Sequence, residues 1–161
     1  MNSKSKTIAA LVLAILLPQL AGLLGAFATA DSVSTWYVDE LNKPPFTPPG
    51  FVFPIVWPLL YLFMGIASWQ VWKELGAHPL ANKALWLYGI QLALNTLWSF
   101  LFFGMKMPGL AFIEILLLWV FIVLTMLYFF KIRRPAGWLF VPYLLWVSFA
   151  SVLNGTIWWM N

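Results

Sequence analysis

The chain has 161 residues and a formal net charge of +4; 63% of its residues are hydrophobic and only 9% are charged. A soluble domain carries roughly 25% charged residues, so this composition excludes a water-soluble globular protein and indicates a membrane protein. The chain has no cysteine, which excludes disulfides and cysteine-ligated zinc or iron–sulfur sites.

Five apolar segments are each long enough to cross a bilayer, which takes about 20 mostly apolar residues. They cover about residues 7–29, 51–72, 84–104, 109–130 and 136–160. The connections after the second, third and fourth segments are short, which favours antiparallel neighbours. The sequence therefore predicts an all-α protein, a five-helix transmembrane bundle that forms a single domain over residues 1–161.

The first segment follows Lys4 and Lys6 and ends near the small residues of "AFATADS". A secretory signal peptide has a similar pattern, but its apolar core has only about 7–15 residues, and the run here is longer. We therefore predict a membrane span.

The first loop, about residues 30–50, contains the stretch "WYVDELNKPPFTPPG". Its second half carries four prolines, and proline fixes φ and restricts the residue before it. This half of the loop is predicted to be rigid and non-helical.

The second and fifth segments each carry a stripe of large and small residues on one helical face. The stripes are Trp57, Tyr61, Met64 and Ser68 on the second segment, and Tyr143, Trp146, Ala150 and Asn154 on the fifth. Such stripes form either core packing or the wall of a ligand pocket, and small residues beside large rings favour a pocket. The kink-forming prolines Pro18, Pro54, Pro58 and Pro142 would widen it.

The third segment carries polar residues inside the predicted membrane span. Gln91, Asn95 and Trp98 share one helical face, where they serve either to join helices or to line a pocket. Gly89 and Ala93 form a small-xxx-small pair, which is either a homodimer seam or close packing within the monomer.

Glu114, in the fourth segment, is the only acid within a span, and it faces either the bundle interior or the solvated end of its helix. The only histidine, His78, lies in a connecting loop beside Pro79. The sequence shows no glycine-rich phosphate loop, no paired carboxylates and no metal-ligand cluster. We therefore expect no metal and no cofactor.

Seven of the nine basic residues fall on one side of the predicted membrane. They are Lys4, Lys6, Lys73, Lys83, Lys131, Arg133 and Arg134, whereas Lys43 and Lys106 fall on the other side. The positive-inside rule then places the N-terminus in the cytoplasm and the C-terminus outside. Because these clusters report topology, we expect membrane lipids and no nucleic acid as partners. All-helical spans favour a bacterial cytoplasmic membrane.

Three blocks of this sequence resemble the TspO/MBR family of tryptophan-rich sensory proteins and translocator proteins, also called peripheral-type benzodiazepine receptors. They are "WYVDELNKPPFTPPGFVFPIVW", "QLALNTLWSFLFFGMK" and "VPYLLWVSFASVLNGTIWW". The resemblance covers nearly the whole chain. It implies a five-helix bundle whose first loop folds as a lid over a cavity, with Trp36 and Tyr37 turned toward the ligand and Lys43 tying the lid to the rim.

The resemblance also implies a ligand and its contacts. Family members bind porphyrins such as protoporphyrin IX and synthetic isoquinoline and benzodiazepine ligands. Carried over by motif, Trp57 and Asn95 are expected as the hydrogen-bonding pair at the base of the pocket. The residues expected as its walls are Tyr37, Pro48, Trp146 and Ala150.

Three functions are compatible with the resemblance. The first is a membrane-embedded binding or sensory protein for porphyrins and other lipophilic ligands that regulates tetrapyrrole handling. The second is an enzyme that degrades protoporphyrin in light, in which Trp57 and Trp146 would be the catalytic residues. The third is a transporter of porphyrin or another lipophile, which the lack of a visible inverted repeat disfavours.

This sequence departs from the family pattern at two places. The first loop has one more residue between Tyr37 and Leu41 than the family's W-Y-x-x-L spacing, which would shift Tyr37 relative to the pocket. The chain ends "NGTIWWMN", without the Tyr and Arg of the cholesterol-recognition stretch in mitochondrial members. Sterol binding through that motif is therefore not expected.

Overall fold

The computed structural model describes residues 3–161, with the side chains of 5–27 and 30–161. Its five long helices are α1 (Ser3–Ser34), α2 (Phe53–Trp72), α3 (Ala81–Ser99), α4 (Pro108–Ile132) and α5 (Arg134–Met160). The described residues form no strand, and each long helix contains a segment long and apolar enough to cross a membrane. The predicted all-α fold with five spans is confirmed. The side chain of Lys4, which entered the charge argument, lies outside the described residues.

Helix α1 continues to Ser34, past the point near residue 30 where the first loop was expected to begin. The hydroxyls of Ser34 and Thr35 donate to the carbonyl of Asp31, at 3.0 and 2.7 Å, and the next proline in the sequence is Pro44. Because nothing before Thr35 breaks the helix, the lid spans residues 35–52. It opens with a π-helical turn, Trp36–Glu40, that the sequence did not predict.

Helix α3 ends in a second π-helical turn, Phe100–Gly104, which the Met105 amide closes by donating to the Phe100 carbonyl at 2.7 Å. Three prolines, Pro18, Pro58 and Pro142, lie inside helices as expected. Pro54 differs, since it lies in the first turn of α2, where a missing N–H breaks no helical bond.

Helices α1 and α2 pack with their backbones in contact. A Cβ atom on Gly65 would lie 2.7 Å from both the Ala14 carbonyl oxygen and the Ile15 Cα of α1. On the other side of the contact, a Cβ atom on Gly22 would overlap the ring of Tyr61. Small residues that allow such an approach are a common means of joining membrane helices, because lipid supplies no hydrophobic driving force.

The buried side chains form two clusters. The larger cluster fills the bundle between α2, α3, α4 and α5. The smaller cluster lies under the lid and consists of Trp36, Leu41, Leu101, Phe102, Ala111, Leu153 and Ile157. Outward-facing apolar side chains such as Phe27, which is 90% exposed, form the surface expected to contact lipid.

The two ends of the bundle differ in charge. The end formed by the start of α1, residues 73–83 and the α4–α5 junction, called the basic end, carries seven basic residues and one acid, Glu74. The opposite end, called the lid end, holds the lid, residues 100–107 and Asn161. Its basic residues are Lys43 and Lys106, and its exposed acids are Asp31, Asp39 and Glu40.

Candidate ligand-binding site

A small apolar cavity of about 50 Å³ lies at the lid end, between the lid and the ends of α2, α3 and α5. It is lined by Tyr37, Phe53, Trp57, Trp98, Phe102, Phe103, Trp146, Ala150, Leu153, Asn154 and Ile157. Seven of these eleven side chains are aromatic, and no acidic or basic side chain is among them. This composition suits a flat, apolar ligand with few polar groups.

The lid is fixed to α5 by a reciprocal amide pair. The Asn42 backbone N–H donates to Asn161 Oδ1 at 2.9 Å, and Asn161 Nδ2 donates to the Asn42 carbonyl at 3.0 Å. The same Asn161 nitrogen donates to the Ile157 carbonyl at 2.8 Å, which fixes its orientation at the end of the helix. The sequence prediction assigned this tie between lid and rim to Lys43, and that assignment was wrong.

Lys43 instead binds within the lid. Its ammonium donates to the carbonyls of Tyr37 and Val38, the second at 3.0 Å, and lies 4.9 Å from the Tyr37 ring centre. These contacts hold the π-helical turn against the following proline segment. Since the turn contains Tyr37, they also hold that ring over the cavity.

Tyr37 and Trp36 point in different directions. The Tyr37 ring packs edge-on against Phe103 at 5.4 Å and lines the cavity. The Trp36 ring packs on Phe102 at 5.8 Å, is 9% exposed and does not line the cavity, although the resemblance implied that both rings face the ligand. Burial raises the pKa of the Tyr37 hydroxyl above its ordinary value of 10.0, so this group is neutral at physiological pH.

The walls of the cavity are aromatic pairs. Trp57 stacks on Tyr61 with ring centres 5.4 Å apart, and Trp146 packs edge-on against Phe53 at 5.9 Å. These contacts fix the two indoles in the cavity wall, where a flat ligand could stack on an indole face that no neighbouring ring occupies.

A buried hydrogen-bond chain lies deeper in the bundle. Tyr61 donates to Asn95 Oδ1 at 2.8 Å, Asn95 Nδ2 donates to the Tyr143 hydroxyl at 3.0 Å, and Tyr143 donates to Gln91 Oε1 at 3.0 Å. Gln91 and Tyr143 are fully buried and Asn95 is 3% exposed. The chain joins α2, α3 and α5, so it satisfies polar groups that would be costly unpaired in a membrane.

A second polar contact connects the cavity wall to α4. The Trp98 indole N–H donates to Asn154 Oδ1 at 3.0 Å, and Asn154 Nδ2 donates to the Pro108 carbonyl at 2.8 Å. Both side chains line the cavity. Because their polar atoms are used within the protein, they present apolar faces to a ligand.

The residues predicted for the site are partly brought together. Tyr37, Trp57, Trp146 and Ala150 line the cavity. Pro48 is partly buried in the lid and is not among the lining residues. Asn95 belongs to the buried chain beneath the wall, where Tyr61 rather than Trp57 is its hydrogen-bonding partner.

Sequence reasoning did not assign Phe53, Phe102, Phe103, Leu153 and Ile157 to the site. Leu153 and Ile157 continue the fifth-helix stripe that includes Ala150 and Asn154, so a longer reading of that stripe would have found them. The π-helical turn that positions Phe102 and Phe103 has no signal in the sequence.

Glu114 and the Gly89/Ala93 pair lie away from the cavity. Glu114 is 7% exposed, and neither carboxylate oxygen has a hydrogen-bond partner among the described residues. Its side chain therefore faces the bundle interior, one of the two alternatives open from the sequence. Gly89 and Ala93 lie on an exposed face of α3, where a Cβ atom on Gly89 would meet nothing within 4 Å.

Comparison with known proteins gives one family. The family model for the TspO/MBR family matches residues 14–160. "Tryptophan-rich protein TspO" of Chlorobaculum tepidum is 45% identical over 98% of this chain and 99% of its own length. "Translocator protein" of Bos taurus is 41% identical over 91% and 86%, and "Tryptophan-rich sensory protein" of Cereibacter sphaeroides is 43% identical over 81% of each chain.

Proposed function

Because the chain belongs to the TspO/MBR family, we propose that it binds porphyrins of the protoporphyrin IX class and other lipophilic ligands within the membrane and acts as a sensor in tetrapyrrole handling. The observation that carries this proposal is the cavity under the lid, whose lining is mostly aromatic and has no charge. A porphyrin is a flat aromatic ring, and stacking on indole and phenyl rings is the contact that this lining offers.

The cavity volume constrains how such a ligand would bind. Sites for drug-sized ligands measure about 300–1,000 Å³, whereas this cavity has about 50 Å³. Binding a porphyrin therefore requires the lid and its lining rings to move outward. The lid is the element that would move, because its Tyr37 lines the cavity. Its contacts with α5 include the Asn42–Asn161 pair and a ring contact between Phe46 and Phe149 at 6.5 Å.

We assign two levels of role within this site. Tyr37, Trp57, Trp146 and Ala150 contact the ligand directly, since they line the cavity. Asn95 acts through Tyr61, whose ring it fixes and on which Trp57 stacks. Pro48 restricts the lid backbone without touching the ligand.

The proposal is tested by fluorescence titration of the purified protein with protoporphyrin IX, using haem as competitor. We expect saturable binding of one porphyrin per chain, with quenching of the intrinsic tryptophan emission. A different five-helix protein in the same detergent serves as the control. If quenching rises without saturation and to the same extent in both proteins, the porphyrin is partitioning into micelles, and the proposed site is excluded.

We propose that the basic end lies in the cytoplasm of a bacterial cell and that the lid faces outward. The support is the excess of basic residues at one end of the bundle, which the positive-inside rule assigns to the cytoplasm. A topology reporter fused after Asn161 is expected to read as external and one inserted in residues 73–80 as cytoplasmic. The reverse pattern would place the lid inside the cell.

We also propose a homodimer whose seam includes Gly89 and Ala93 on the exposed face of α3. The open space around Gly89 would let a second backbone approach closely. Gly89→Leu is expected to shift the protein from dimer to monomer in detergent while porphyrin binding stays within about twofold, because α3 turns this face away from the cavity. Light scattering with size exclusion measures the shift, and an unchanged dimer would place the seam elsewhere.

A further inference from the structure

Two ammonium groups from different helices converge on one tyrosine at the basic end. Lys83 lies in the first turn of α3 and Lys131 in the last turn of α4. Their Nζ atoms lie 5.1 and 5.5 Å from the centre of the Tyr128 ring. Both lysines are exposed, and Tyr128 is partly buried.

The protein supplies no counter-charge for this pair. The only acid at the basic end is Glu74, and its carboxylate accepts from Arg133, with Nε at 2.8 Å. Among the residues whose side chains are described, neither Lys83 nor Lys131 forms an ion pair. Lys83 also stands near the positive end of the α3 dipole, where a cation is disfavoured. The ring face of Tyr128 offsets part of this repulsion, because each ammonium is attracted to it.

The pair lies at the level expected for lipid headgroups. Trp86, one turn beyond Lys83 on α3, is 74% exposed, and Trp138 near the start of α5 is 65% exposed. Exposed tryptophans at the ends of membrane spans mark the boundary between headgroups and acyl chains. Ile90 lies on the same face of α3 as Lys83, and Leu124 lies on the same face of α4 as Lys131. Both side chains are exposed and offer an apolar surface for an acyl chain.

We propose that Lys83, Lys131 and Tyr128 form a binding site for an anionic phospholipid at the outer seam of α3 and α4. The two ammonium groups bind the phosphate oxygens, and the exposed apolar faces of α3 and α4 contact the acyl chains. A basic site between membrane helices selects lipids with a net negative headgroup over zwitterionic lipids that carry the same phosphate. This inference is independent of what the cavity under the lid binds.

The test is lipid binding followed by native mass spectrometry of the delipidated protein with phosphatidylglycerol and phosphatidylcholine of matched acyl chains. We expect the wild type to retain one phosphatidylglycerol per chain in preference to phosphatidylcholine. In Lys83→Gln/Lys131→Gln the affinity for phosphatidylglycerol should fall roughly ten- to thirtyfold, since each lysine contributes about fivefold. Lys83→Arg/Lys131→Arg should retain most of the affinity, because arginine keeps the charge and binds phosphate.

Lys73→Gln/Arg134→Gln is the matched control. It removes two positive charges from the same end, where Lys73 packs on the Trp69 ring and both side chains are exposed. We expect this control to lose less than threefold in affinity. An equal loss in the two glutamine doubles would show diffuse attraction to the whole basic end and would overturn the site.

Two further outcomes would also overturn it. Equal retention of phosphatidylcholine and phosphatidylglycerol by the wild type would mean that the headgroup charge is not recognised. Displacement of the bound lipid by millimolar inorganic phosphate would identify a site for free phosphate and remove the acyl-chain contacts from the proposal. A variant is compared only if its helicity and its unfolding temperature match those of the wild type. A change in retained lipid then reports on the site and not on the fold.

Discussion

Replacing Trp146 by alanine is expected to lower the affinity for protoporphyrin IX by roughly tenfold or more. The Trp146 indole lines the cavity and packs against the rings of Phe53 and Phe149. Stacking on such a ring contributes about 0.5–1.5 kcal/mol beyond area burial, and lost burial adds about 25 cal/mol per Å². Since about 1.4 kcal/mol corresponds to tenfold, the two effects together exceed that factor.

Trp72→Ala is the control for this experiment. Trp72 is the last residue of α2, at the basic end, and it is 40% exposed. Its loss should change porphyrin affinity by less than twofold in the same fluorescence titration. Both variants must first match the wild type in helicity and monodispersity. Equal affinities of the two variants would show that the fifth-helix face bearing Trp146 does not contact the ligand.

Replacing Gly65 by alanine is expected to destabilise the protein by about 2 kcal/mol, within the range for overpacked cores. The added Cβ atom would lie 2.7 Å from two backbone atoms of α1, and backbone cannot turn aside as a flexible side chain does. Helices α1 and α2 must then separate along their contact. The free energy of unfolding in detergent measures the loss.

Gly89→Ala isolates the effect of the contact from the effect of helix propensity. Both glycines lie inside long helices, where alanine is favoured over glycine by about 1 kcal/mol. Within one chain Gly89 has open space around it, so its replacement should raise the stability of the monomer by up to about 1 kcal/mol. Because Gly89 also lies in the proposed dimer seam, both variants are compared at a protein concentration where the chain is monomeric in detergent. If both alanine variants gain stability, the close approach of α1 and α2 at Gly65 does not hold in the folded protein.

The five helices were predictable because the bilayer imposes a strong condition on any span. A crossing segment must satisfy its backbone internally and be apolar over about 20 residues, and both conditions are visible in the sequence. The cavity-facing sides of α2 and α5 were also predictable. Trp57 and Trp146 each belong to a regularly spaced stripe on one face of its own helix, and both line the cavity. The prolines of the first loop predict only that the loop is rigid. Its role as a lid over the cavity was implied by the family resemblance.

The closure of the lid was not predictable. Asn42 and Asn161 are 119 positions apart, and Asn42 belongs to no periodic pattern that would pair it with the end of α5. The resemblance implied Lys43 as the tie. The tie is instead formed by the backbone N–H and carbonyl of Asn42, which pair with the side-chain amide of Asn161. Asn95 was expected to pair with Trp57 because the family resemblance implied both residues at the base of the pocket. In the structure, the Tyr61 hydroxyl donates to the Asn95 side-chain amide instead.

The tie at Asn42 also changes the conformational entropy of the lid. By fixing one point near the middle, it divides a long connection into two short loops, residues 35–41 and 43–52. The entropic cost of closing a loop grows with the length of the loop, by about 0.6 kcal/mol for each doubling. Tyr37 lies in the first loop, and the four prolines lie in the second, where they already limit the unfolded chain. A ligand that displaces only the Tyr37 loop leaves the second loop ordered, so re-closing over the ligand orders few residues and leaves more of the contact energy for binding.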